Sequence, residues 1–205
     1  MNLIRVMPAK GRHMMCSPFS PPSPGDGPAE EGSLLKQSGK RLGHPAIRTI
    51  TTAGLLCAVV VLLSGFSIPV GPTKCFPVQH AVNVVAGVLL GPWWAAGAAF
   101  AASAVRNMIG TGTLFAFPGS IPGALAVGFA WKVFKKDIAA LAEPLGTGVL
   151  GAWLSAVIIA PSMNSAVGFG VLMPAFLASS VPGALIGLAV LTLLKRTGFR
   201  KEDEK

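Results

Sequence analysis

The sequence predicts an all-α membrane protein: six transmembrane helices with both termini cytoplasmic. Three observations lead there. Of 205 residues, 52% are hydrophobic and only 12% charged, whereas about a quarter of an ordinary soluble domain is charged. Mean hydropathy is +0.63. The apolar residues gather into runs near the ~20 residues that a bilayer-crossing helix needs, and basic residues flank those runs.

Ala46–Phe66, Phe117–Phe134, Ile138–Ala160 and Val171–Leu194 each read as one span. Val78–Ile109 is too long for one, and Gly91-Pro92 interrupts it. Proline cannot continue a helix without losing a hydrogen bond, and glycine suits a helix C-terminus. Two helices here would each be short, about 22 Å against a hydrocarbon core of about 30 Å. Charge decides the count. With six spans, 15 of the 17 Lys and Arg fall on one side, leaving only Lys74 and Arg106 on the other. With five, the split is 8 against 9. Basic residues concentrate in cytoplasmic loops, which favours six. The net charge of +9 therefore reads as membrane orientation, not as a nucleic-acid surface.

Residues 1–45 are rich in Pro, Gly and Ser and are expected to form a disordered extension, with Met14 and Met15 as alternative starts. Residues 46–196 make the six-helix domain and 197–205 a charged cytoplasmic tail.

Several chemistries find no footing. Cys16, Cys57 and Cys75 have neither disulfide nor zinc spacing, and His13, His44 and His80 do not cluster. No catalytic triad is apparent, so no enzyme is expected. "GTGVLG" (Gly146–Gly151) fits a dinucleotide pattern, but it lies inside an apolar run with no preceding strand; close helix packing is the better reading. No Walker lysine follows it, and no metal or cofactor of the chain's own is expected. No acid lies deep in an apolar run, Glu143 coming closest. That disfavours proton- or sodium-coupled carriage, which uses ionisable groups at depth.

Uncharged polar groups instead collect near the outer ends of the spans. Gln79, His80 and Asn83 open the second helix, with Asn83 three and four residues from the other two and so on their face. Arg106 and Asn107 close the third. Thr113, Phe117 and Ser120 lead into the fourth, and Trp153 lies on the fifth. Singly, Gln79 and His80 suit an interfacial position as well as a ligand contact, and Arg106 suits snorkelling to lipid phosphates. Together they describe a pocket for a small, largely neutral ligand. Above it lies "SGFSIPVGPTKCFPVQHAVNV" (Ser64–Val84), in which Pro69, Pro72 and Pro77 stiffen the backbone and Gly71 allows a bend. With Lys74 and Phe76 it reads as a partly rigid lid. A partial echo, "SIPGAL" (Ser120–Leu125) and "SVPGAL" (Ser180–Leu185), gives the fourth and sixth helices similar outer ends, as a packing solution or a duplication.

"LSGFSIPVGPTKCFPVQHAVNVVAGVLLGPWWA", "RNMIGTGTLFAFPGSIPGAL" and the basic end of the last helix resemble ThiW, the substrate-binding (S) component of an energy-coupling-factor transporter for a thiamin precursor. The likeness covers residues 47–196. It implies a six-helix subunit that binds hydroxyethylthiazole and docks on a transmembrane coupling protein carrying two cytoplasmic ATPase subunits. Gln79, His80, Asn83, Arg106, Asn107, Thr113 and Ser120 would then be polar contacts, and Phe76, Phe117 and Trp153 apolar walls. Ala53, Gly54, Cys57 and Ala58 would offer a smooth face on the first helix for the partner, or for packing within the bundle. A stand-alone carrier or channel for another small neutral metabolite is the alternative.

Overall fold

The structure, a computed structural model, describes residues 44–70 and 73–197. The expected N-terminal extension lies outside them except for His44 and Pro45, which open the first helix, and the C-terminal tail except for Thr197; Gly71 and Pro72 of the expected lid also lie outside.

Six helices are present among the described residues. Helix α1 (His44–Leu62) runs on into a 3-10 turn, Leu63–Phe66. Helices α2 (Pro77–Leu90) and α3 (Pro92–Met108) follow, then α4 (Ala116–Phe134), α5 (Asp137–Ser162) and α6 (Phe169–Arg196). Three of these, α1 with its turn, α5 and α6, are long and apolar enough to cross a membrane by length and composition. The α2 helix, with 14 residues, is only about 21 Å long.

The break inside the long apolar run falls at Gly91-Pro92. Gly91 has φ +80°, outside the range ordinary L-residues adopt, and Pro92 is the first residue of α3. Proline also interrupts the hydrogen-bond ladders of α4 and α6 from within, at Pro122, Pro174 and Pro182. Helix α5 is the least regular. It opens as a 3-10 turn (Asp137–Leu141) and has two wider π-type stretches, Gly146–Gly151 and Ser155–Ile159.

One element was not foreseen. Ile68–Val70 (β1) and Thr73–Cys75 (β2) pair antiparallel, with Ile68 opposite Cys75 and Val70 opposite Thr73. The segment expected to be a partly rigid lid therefore contains a short two-stranded ribbon. Pro69 is tolerated because each strand is an edge strand.

Helix α2 is central and packs against α6, α4, α3 and α1. Its buried Val84, Val85 and Val88 meet Val127 of α4 and Ala184 and Leu191 of α6. At the end of the bundle away from the ribbon, Lys195 of α6 pairs with Asp137 at 2.8 Å. The outward surface is apolar, as lipid requires: Leu62, Met108, Val133, Leu145 and Leu193 are all well exposed. Without a hydrophobic drive between helices in lipid, close packing must hold the bundle, and the small residues at its contacts allow that.

Candidate functional site

A small cavity lies beneath the ribbon, where α2, α3, α4, α5 and α6 converge. It is lined by Thr73, Lys74 and Phe76 of the ribbon end, Gln79 and His80 of α2, and Arg106 of α3. Thr113, Phe115, Ala116, Gly119 and Ser120 come from the start of α4, Thr147 from α5, and Phe176 and Ser179 from α6. In this conformation it encloses about 30 Å³, roughly the share of one water.

Two polar groups are built into its walls. The first centres on Arg106, which is buried. Its Nη1 donates to Gln79 Oε1, and Gln79 Nε2 in turn donates to Ser120 Oγ and, at 3.3 Å, to Ser103 Oγ. The guanidinium carbon sits 4.3 Å from the centre of the Phe76 ring, a cation–π contact in a desolvated setting. Among the described residues no carboxylate pairs with Arg106, and its Nε has no hydrogen-bond partner. The wall thus presents a buried cation that an acceptor group would satisfy.

The second group joins α2 to α5. His80 Nδ1 lies 2.6 Å from Glu143 Oε1, and Thr147 Oγ1 donates to the same oxygen at 2.8 Å. Glu143 is fully buried. This corrects the expectation that no acid lies deep within the apolar runs. Glu143 is the seventh residue of α5, and its carboxyl is enclosed by His80, Thr147 and Gly123.

The sequence echo has a structural counterpart here. Gly123 and Gly183 occupy the same place in the two copies. A Cβ on Gly123 would strike Thr147 Oγ1 and Glu143 Oε1, and one on Gly183 would sit 2.5 Å from both His80 Cβ and Pro77 O. The two glycines let α4 and α6 close on either side of the His80–Glu143 pair.

The ribbon is fastened at both sides. Lys74 Nζ donates to the carbonyls of Gly110 and Thr111 at 3.4 and 3.2 Å. Phe76 N donates to Ser179 Oγ at 2.7 Å. Pro182 leaves the Ala178 carbonyl without its helical donor, and the Cys75 thiol approaches that oxygen at 3.6 Å.

Of the residues singled out from sequence, Phe76, Gln79, His80, Arg106, Thr113, Ser120 and Lys74 line the cavity. Asn83 and Asn107 stand behind it. Asn83 Nδ2 donates to Ser120 O at 3.2 Å, while Asn107 Nδ2 bridges Ser103 O and Thr113 O at 2.8 and 3.0 Å. Phe117 packs against Phe100, which is itself exposed, and Trp153 is 53% exposed on the outside of α5. Pro69 is exposed on the ribbon and Pro77 starts α2. On α1, Gly54 and Ala58 are exposed, and a Cβ on Gly54 would meet nothing within 4 Å. Ala53 is half-buried, and Cys57 packs on the Val60, Phe76 and Ala102 cluster. Sequence reasoning missed Phe115, Thr147, Phe176, Ser179 and Glu143. The four-residue spacing of Glu143 and Thr147 was the available signal for one pair.

An apolar helical bundle around a small, polar, aromatic-walled cavity is the architecture of a membrane protein with an internal polar site. Residues 50–197 match the thiamine-precursor transporter protein family ThiW. The match spans most of the chain, which belongs to that family: it is a transporter protein, not an enzyme. No match is found among curated proteins.

Proposed function

We propose that this chain is the substrate-binding subunit of an energy-coupling-factor transporter, importing hydroxyethylthiazole while ATP is hydrolysed on partner subunits. The observation that carries the reading is the donor-rich cavity under the ribbon. Thiamin is a cation, and a site for it would offer a free carboxylate. Among the described residues Arg106 has no carboxylate partner, and the buried acid nearby, Glu143, already shares its Oε1 between His80 and Thr147. A neutral heterocycle with acceptor atoms suits that wall; its phosphate, drawn to Arg106 and Lys74, is the next best fit.

On this reading all six helices span the cell membrane with both ends cytoplasmic, and the ribbon faces outside as a lid. Gln79, His80, Arg106, Thr113 and Ser120 contact ligand, with Phe76, Phe115 and Phe176 as walls and Asn83 and Asn107 as supports. A cavity of about 30 Å³ is too small for a thiazole ring, so its walls must give way on binding. The exposed Gly54–Ala58 face of α1 would meet the coupling protein, which carries the two ATPase subunits. The test is uptake of labelled hydroxyethylthiazole into proteoliposomes. Accumulation should require the coupling protein, both ATPases and ATP.

The second reading, a stand-alone carrier, draws on Glu143. An intramembrane carboxylate hydrogen-bonded to histidine is the kind of group that proton-coupled carriers use. Uptake by this chain alone, driven by a pH gradient, would favour it and overturn the first.

A further inference from the structure

The Arg106 wall offers hydrogen-bond donors. The His80–Glu143–Thr147 group offers something different, and its chemistry follows from hydrogen-bond counting. Glu143 Oε1 accepts from Thr147 Oγ1 at 2.8 Å and lies 2.6 Å from His80 Nδ1. Taken as a carboxylate oxygen, Oε1 accepts from both, which puts the hydrogen on Nδ1. In the neutral ring, the lone pair then belongs to Nε2. Among the described residues, His80 hydrogen-bonds only through Nδ1, and His80 lines the cavity. What it presents to a ligand is therefore an acceptor.

The cost of the arrangement argues that it does more than pack. Glu143 is fully buried, and its Oε2 has no partner among the described residues. Apolar residues of similar volume replace such buried pairs with little or no loss of stability. Ionisable groups at membrane depth are costly and serve function by default. Gly123 and Gly183 keep α4 and α6 close around the pair, as a positioning device would require.

We propose that His80, oriented by Glu143 and Thr147, is a specificity-determining acceptor that reads a hydrogen-bond donor on the ligand, namely the hydroxyl of a hydroxyalkyl heterocycle. Arg106 takes an acceptor atom elsewhere on the same ligand. The cavity then selects for a molecule with both functions, not for the ring alone. This rests on the thiazole reading above and adds which group of the ligand is recognised and by what.

The experiment compares three probes by calorimetry on the purified full-length chain: hydroxyethylthiazole, its methyl ether and its ethyl analogue. The ether keeps the oxygen as an acceptor but cannot donate; the ethyl analogue has no oxygen. The wild-type chain should bind the alcohol about 10- to 100-fold more tightly than either, the span expected for one buried hydrogen bond. Removing only one member of the pair risks misfolding, so the variant is the double one, His80→Phe with Glu143→Leu. In it the ratio of alcohol to ethyl-analogue affinity should fall to about 1, the preference for the alcohol being gone. Ether and alcohol binding equally to wild type, or the double variant keeping the preference, would overturn the proposal while leaving the thiazole reading intact. If none of the three probes bound, both would fall together.

Discussion

His80 Nδ1 and Glu143 Oε1 meet at 2.6 Å inside the bundle although 63 residues separate them in sequence. The contact ties α2, which brings Gln79 and His80 to the cavity, to the irregular start of α5. Because both side chains are buried, each is the other's main compensation for leaving water.

The first prediction concerns that dependence. His80→Phe alone strands a buried carboxyl and should destabilise the protein by about 3–5 kcal/mol. Adding Glu143→Leu removes the orphan and should restore most of the loss. Thermal unfolding in detergent measures both; a double variant no better than the single one would mean the pair is not the unit described.

A second prediction separates two glycines. Gly123→Val would place methyl groups against Thr147 and Glu143, and overpacking of this kind costs about 1–3 kcal/mol or more. Gly54→Val points into open space, and surface changes of that sort stay within about 0.5 kcal/mol. Unfolding curves should show a lower midpoint for the first variant only. If the α1 face docks the coupling protein, Gly54→Val should still weaken co-purification with that partner.

The ribbon gives a third. Lys74→Met deletes the bonds to the Gly110 and Thr111 carbonyls. Partly exposed bonds of this strength are worth about 0.5–1.5 kcal/mol, so ligand should dissociate about 3- to 10-fold faster. Stopped-flow release of bound ligand measures this, with the unfolding midpoint nearly unchanged. An unaltered release rate would return the ribbon to the role of connector.

Much of this was legible in the sequence. The Gly91-Pro92 break, the six helices and the cluster of Gln79, His80, Arg106 and Ser120 follow from proline chemistry, apolar run length and polar residues at helix ends. The ribbon was not legible, because Pro69 and Lys74 are poor strand signals and only three residues pair on each side. Facing on α4 and α5 was harder still. Phe115, immediately before α4, turns into the cavity, whereas Phe117 turns toward Phe100. On α5 the π-type stretches shift the helical phase, and Trp153, expected as an apolar wall, lies on the outside. The depth of Glu143 was hidden because its partner His80 lies 63 residues away in sequence and its burial comes from tertiary contact.

The most direct test of the central claim is calorimetric titration of the purified chain with hydroxyethylthiazole and, separately, thiamin, repeated on Arg106→Met. Saturable binding of the thiazole well above that of thiamin, and its loss by at least ~10-fold in Arg106→Met, is the predicted result. Tighter binding of thiamin, or thiazole binding indifferent to Arg106, would contradict it.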